Sequence, residues 1–312
     1  MKAKLLVVFL LTSIISLAQN PIWNKTNASD YTSKALENKK NLTKFQLYNL
    51  DFNALQNALK NSPKRFEAAQ QKGITVEIPN ADGQLERFSF YQFSNMDPVL
   101  AEKYPEIKSY VGQSIDNPGS VIYCSLSPLG FQSMMLKADR SAVFIEPYTA
   151  DLSAYAVYNK KDKIEGLNKF ECRMVQNMPE QTIKTSSLAA RPNADDGILR
   201  NFRLALSVTG EYTTYFGGTK ALALAGMNAT MTRVNGVFEM DFNSHMNLIA
   251  NNDVLIYTNA ATDPYSAAAT GSGGAWNTEL QNNLTNTIGN AAYDIGHLFG
   301  ASGGGGGGGQ QT

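Results

Sequence analysis

Hydrophobic and polar positions alternate in short runs over the first half of the chain and take helical spacing in the second. In "KFQLYNLDFNALQNALKNSP", Phe45, Leu47 and Leu50 mark a short strand. Asp51 then stands as a cap for a helix carrying Leu55, Ala58 and Leu59. "GITVEIPNADGQLERFSFYQF" predicts a hairpin: Thr75, Val76 and Ile78 precede Asn80-Ala81-Asp82-Gly83, and Phe88, Phe90 and Tyr91 follow it. Three further strand-like runs lie between Pro105 and Tyr148, cut by Asn117-Pro118-Gly119 and by Asp139-Arg140. The pattern predicts a β-rich α+β region over residues 19–181.

Residues 182–198, "TIKTSSLAARPNADDGI", are small and polar without apolar periodicity, and read as an exposed linker. After them Phe202, Leu204, Leu206 and Val208 share one face of a half-buried strand. Leu224, Met227, Met231, Val234 and Phe238 recur at three and four residues and predict an amphipathic helix with Thr219 as its cap. "HMNLIANNDVLIYT" predicts one or two strands, with Val254, Leu255 and Ile256 as a continuous buried run. Trp276, Leu280, Leu284 and Ile288 predict a second long helix, ending around Ala292. "DIGHLFGA" then reads as a short edge strand, with Ile295, His297 and Phe299 on one side and Gly296, Leu298 and Gly300 on the other. Residues 199–302 are therefore expected to form a partial α/β domain, a mixed sheet with two long helices, before a glycine-rich tail at 303–312. The methionine and aromatic stripes are read as core.

Charge excludes some partners. The 312 residues carry 27 basic and 27 acidic side chains, so no net field favours nucleic acid or an anionic membrane. "MKAKLLVVFLLTSIISLAQN" has Lys2 and Lys4, an apolar run from Leu5, and the small-residue site Ser16-Leu17-Ala18. Residues 1–18 are expected to be a secretory signal peptide cut after Ala18, which makes the protein secreted, with no transmembrane segment in the mature chain. Export would permit Cys124 and Cys172 to pair. Cys124 sits in a strand run and is expected in the core. There is no G-x-S-x-G nucleophile elbow and no phosphate-binding G-K-[ST].

The end of the chain raises a metal question. Laid over H-E-x-x-H-x-x-G-x-x-H, the stretch from Tyr293 puts His297 at the second histidine and Gly300 at the glycine. Tyr293, Asp294 and Gly303 then replace the first histidine, the glutamate and the third histidine. A catalytic zinc needs three protein ligands and an open position. With His245 and His297 as the only histidines, no catalytic or metal-ligating residue is assigned within this chain. His245 is assigned no chemistry, and Glu239 and Asp241 are read as a solvated acidic pair.

On "NFRLALSVTGEYTTYFGG", "MNATMTRVNGVFEMDFNSHMNLI", "NDVLIYT" and "TELQNNLTNTIGNAAYDIGHLFGASGGGG", the chain resembles the N-terminal portion of a secreted bacterial reprolysin-like (adamalysin-type, metzincin) zinc metallopeptidase. The resemblance implies that residues 19–181 are a pro-region, 182–198 the maturation junction and 199–302 the first part of a metzincin-like catalytic domain. It implies a substrate-aligning edge strand formed by Ile295, Gly296, His297, Leu298, Phe299 and Gly300, acting on peptide or protein substrates. It implies zinc in the complete enzyme, where zinc-activated water hydrolyses the peptide bond. The H-E-x-x-H helix itself is not spelled here, so the chain is expected to be a partial enzyme with no zinc bound. Cys172, in "NKFECRMVQNMPE", is a candidate zymogen thiol, although Arg173 stands where such switches place glycine. Two alternatives are a non-catalytic secreted module that binds peptides or proteins, and a truncated product that folds poorly because its sheet is left open.

Overall fold

A computed structural model describes residues 21–31, 35–67, 72–164 and 198–301. The expected signal peptide, Cys172, nearly all of the linker and the glycine tail lie outside the described residues.

The first unit is built from β1 (Trp23–Thr26), β2 (Gln46–Leu50), α1 (Phe52–Leu59), β3 (Ile74–Pro79), β4 (Leu85–Gln92), α2 (Pro98–Lys103), β5 (Lys108–Ser114), β6 (Val121–Ser127), β7 (Gly130–Leu136), β8 (Ala142–Pro147) and β9 (Tyr155–Asn159). Its nine strands form one antiparallel sheet in the order β1-β2-β9-β8-β7-β6-β5-β4-β3. From β3 to β9 the chain simply meanders, and the two N-terminal strands return to pair on β9. Side chains from strands far apart in that order share one core: Trp23, Ile78, Phe88, Phe131 and Tyr155 cluster with Leu55 and Leu59 of α1. The Trp23 ring meets Phe131 edge-on at 5.5 Å, a favoured aromatic arrangement. Asp51 caps α1 as its sequence predicts, its carboxylate accepting from Ala54 N at 2.9 Å. The Asn80–Gly83 hairpin is also present, with Asn80 Oδ1 accepting from the amides of Asp82 and Gln84.

The second unit contains β10 (Arg200–Val208), α3 (Gly210–Tyr215), α4 (Lys220–Phe242), β11 (Ser244–Leu248), α5 (Trp276–Thr287) and β12 (Ile295–Phe299). Its sheet is β11-β10-β12, with both outer strands parallel to β10. Parallel neighbours need crossover connections, and the long helices α4 and α5 lie in those connections. Leu204, Leu206 and Val208 pack with Leu224, Met227 and Met231 of α4. Ala205, on the opposite face of the strand, packs with Leu284 of α5. The alternation in β10 thus produces three layers, helix, sheet and helix. Thr219 caps α4, its hydroxyl accepting from Leu222 N at 3.2 Å.

Five expectations are corrected. The sheet of the second unit is parallel throughout rather than mixed, because each of its outer strands is reached by a helical crossover. The stretch from Pro105 to Tyr148 holds four strands, β5 to β8, rather than three, since the chain also turns between Ser127 and Gly130. Val254 is not buried but 42% exposed, because Asn252–Leu255 is a short 3-10 turn rather than a strand. The reason is Asn252: its side-chain amide donates to Leu206 O and accepts from Leu206 N, both at 2.9 Å, and so replaces a strand neighbour where β11 has ended. The second helix stops at Thr287, not Ala292, and Gly289 turns the chain with φ of 76°. Glu239 is buried rather than solvated, for reasons given below.

The two units share structure. Leu248 N donates to Asn95 O and Asp97 N donates to Leu248 O, both at 2.8 Å. Residues 95–97 therefore run along the outer edge of β11 as a short added strand. Asp97 then caps α2, with Pro98 in the first turn. Leu100 of α2, with Met96 and Ile107 flanking the helix, enters the core of the second unit.

Candidate functional site

The predicted edge strand exists. β12 is terminal in its sheet and pairs with β10 from Leu204↔Ile295 to Val208↔Phe299. Ile295, Gly296 and His297 are exposed, Leu298 is half-buried, and Phe299 and Gly300 are buried. The strand enters from solvent and dives into the molecule.

Its two sides differ. On one, the His297 and Phe299 rings meet edge-on at 5.4 Å, and Phe299 continues to Tyr212 at 5.7 Å. On the other, Gly296 and Gly300 face α5. A Cβ on Gly296 would lie 2.5 Å from Leu284 Cδ1, and one on Gly300 would lie 2.8 Å from Trp276 Cζ3. The glycines are there because the helix sits directly on the strand, not to leave a flat open edge.

Register at the strand's entry is fixed by Asp294. Its carboxylate accepts from Arg203 N at 2.8 Å and from Arg203 Nη2 at 2.7 Å, a forked pair. Hydrogen bonds from Arg203 hold the Asp294 carboxyl below its ordinary value. Asp294, which overlay on the zinc motif puts at the glutamate, is thus a structural anchor. His297 has no hydrogen-bond partner among the described residues.

These residues do not fit a zinc site. Among the described residues no three His, Cys, Asp or Glu side chains converge on a metal position. His245 lies opposite Asn201 on one edge strand, and His297 lies opposite Leu206 on the other. At about 3.3 Å per residue that is an offset of roughly 16 Å along the sheet. Cys124 is a free, fully buried thiol in the core of the first unit, and burial raises its pKa.

The second concentration of chemistry is the seam between the units, where α4 lies across β6. Gly236 lets the helix approach the Tyr123 ring, which a Cβ would meet at 2.7 Å. Asn228, Thr232, Asn235 and Glu239 recur at four, three and four residues, and all are buried. That spacing puts them in one stripe. Asn95, fully buried, donates to Thr232 Oγ1 at 2.8 Å and to Asn228 Oδ1 at 3.1 Å, and its Oδ1 accepts from Asn235 Nδ2 at 3.0 Å. Glu239 pairs with Arg65 and with His245.

A further cluster holds the same helix. Arg233 reaches Glu146 at 2.7 Å, and that carboxylate also contacts buried Lys39 and accepts from Tyr158 OH at 2.8 Å. Burial alone would raise the Glu146 pKa, but the Arg233 and Lys39 charges outweigh it and hold the carboxyl well below its ordinary range. Burial lowers Lys39 despite its partner. The sequence reading missed this seam. The 4-3-4 spacing of Asn228, Thr232, Asn235 and Glu239 was the available signal.

With this geometry the chain can be compared with known families. Residues 199–310 match the model of metallo-peptidase family M12B, reprolysin-like. The match supports a metallopeptidase of the reprolysin-like kind and therefore peptide or protein substrates; it spans rather more than a third of the chain and starts one residue before β10. No curated protein matches the chain. No helix among the described residues is long and apolar enough to cross a membrane.

Proposed function

We propose that residues 199–302 are the N-terminal part of the catalytic domain of a secreted, zinc-dependent metalloendopeptidase, and that residues 19–181 are its pro-region. The observation that carries this reading is the coincidence of the family match with the parallel, three-layer unit, both beginning at the approach to β10. On this reading β12 is the rail for substrate. An extended peptide pairs with its outward main-chain groups, and main-chain bonding supplies affinity regardless of sequence. Alternate side chains supply preference, with the exposed Ile295 and His297 on one side of the rail.

The described residues hold no zinc set, so no hydrolytic step is assigned to them. The reading expects the H-E-x-x-H helix in coding sequence beyond Thr312. Translating the gene past that codon in all frames is the test. An H-E-x-x-H-x-x-G-x-x-H segment would support the proposal, and its absence would overturn the peptidase part of it. Stoichiometric zinc in the purified 312-residue chain would overturn the strand role of His297.

A further inference from the structure

His245 has acceptors on both ring nitrogens. Nδ1 lies 2.8 Å from Glu239 Oε1, and Nε2 lies 3.1 Å from the main-chain oxygen of Ser94. The other polar neighbour of Nε2 is the Asn235 amide nitrogen, at 3.4 Å. That amide is already committed. Its nitrogen donates to Asn95 Oδ1 at 3.0 Å and to Met246 O at 2.9 Å, and its oxygen accepts from Met246 N at 2.9 Å. An amide nitrogen has two hydrogens, so none remains for His245.

A main-chain carbonyl can only accept. Glu239 also binds the Arg65 guanidinium, and as a carboxylate it too can only accept. A neutral imidazole carries one N–H and one lone pair, so either tautomer would point a lone pair at an acceptor. The imidazolium donates to both.

We infer that His245 is held as a doubly protonated cation and is the positioning residue that fastens the first unit onto α4 and β11. Ser94 immediately precedes Asn95, whose carbonyl accepts from Leu248 on the edge of β11. The bond from Nε2 therefore sets where residues 95–97 join the sheet. The charged and titratable groups around the ring are Glu239 on α4, Arg65 after α1, which binds the other carboxylate oxygen, and Tyr123 on β6, which senses both charges. Phe93 covers the ring edge-on at 4.9 Å. The sign follows from the donors. Loss of the second proton leaves a lone pair facing a carbonyl, so the seam loosens as pH rises. A buried neutral histidine would loosen it on acidification. The inference does not depend on the peptidase reading.

The test uses the full chain carrying His297→Gln, which leaves His245 as the single imidazole. Long-range proton–nitrogen NMR at about pH 7.5, where an unperturbed histidine is mostly neutral, is expected to show both ring nitrogens protonated. One unprotonated nitrogen at that pH in the folded chain would overturn the inference. A second readout fixes the sign. The unfolding midpoint of the native chain is expected to exceed that of His245→Gln by a margin that shrinks as pH rises. A margin that grows with pH would overturn it. Should His245→Gln fail to fold, the spectrum alone decides.

Discussion

The two edges of the parallel sheet are treated in opposite ways. On the β11 edge, residues 95–97 from the first unit pair with Leu248, and the polar stripe of α4 locks that segment through Asn95. On the β12 edge no further strand is paired among the described residues, and the exposed stretch Ile295–His297 faces solvent. An exposed strand edge is a template for another chain. The capped edge shows the molecule already using that chemistry within itself. On the proposed reading, the bare edge is where a second extended segment does the same.

The contrast extends to what each edge rests on. β11 is bounded by buried ion pairs and amides, which tolerate neither partner's loss. β12 is held at its entry by the exposed Asp294–Arg203 pair and beyond it by ring and glycine contacts with α5 and α3. Damage on the capped side should therefore cost more.

The largest loss is expected from Glu146→Gln. It leaves buried Lys39 and half-buried Arg233 without their shared carboxylate, and breaking a buried pair such as Lys39–Glu146 costs about 3–5 kcal/mol. Urea unfolding would measure it. The same carboxyl predicts an acid limb. Its folded-state pKa is depressed, so its contribution is complete above the unfolded value of about 4.3 and is lost as pH falls through the folded one. Glu146→Gln should flatten that limb, and an unchanged limb would show that Glu146 does not set it.

Asn95→Ala comes next. It strips donors and an acceptor from Thr232, Asn228 and Asn235 in a site closed to water, at about 1–3 kcal/mol. Faster amide exchange at Leu248 is the specific sign, because the cap on β11 is then loosened. Gly300→Ala attacks the other edge. Its Cβ would push on the Trp276 ring, and overpacking of this kind costs about 1–3 kcal/mol. Its effect should appear in α5 and β12 while Leu248 stays protected. The smallest change is expected from His297→Ala, an exposed position without a polar partner among the described residues, within about 0.5 kcal/mol. A drop of several kcal/mol there would mean that the strand is not open.

Much of the scaffold was legible because its causes are local. Asp51 and Thr219 act within one turn, the Asn80–Gly83 turn within four residues, and the alternation of Phe202 to Val208 reports a face directly. The short strand at Ile295–Phe299 was legible for the same reason. The role of its glycines was not legible, because the sequence does not say that Leu284 and Trp276 return to those positions. Val254 was misread because Asn252 supplies by side chain what a strand supplies by backbone. The seam was missed for a related reason, although the 4-3-4 spacing of its polar residues was there to be read. Asn228, Thr232, Asn235 and Glu239 look like a solvated helix face until Asn95, Arg65 and Ser94 arrive from more than a hundred residues away. Polar residues declare burial only through partners.

Amide hydrogen exchange, read residue by residue across the parallel sheet, tests the asymmetry of the two edges most directly. In a parallel strand alternate amides point to opposite neighbours, so an open β12 should show fast and slow amides in turn over residues 295–299, while Leu248 on β11 is slow. Uniformly slow amides along β12, matching Leu248, would contradict the account.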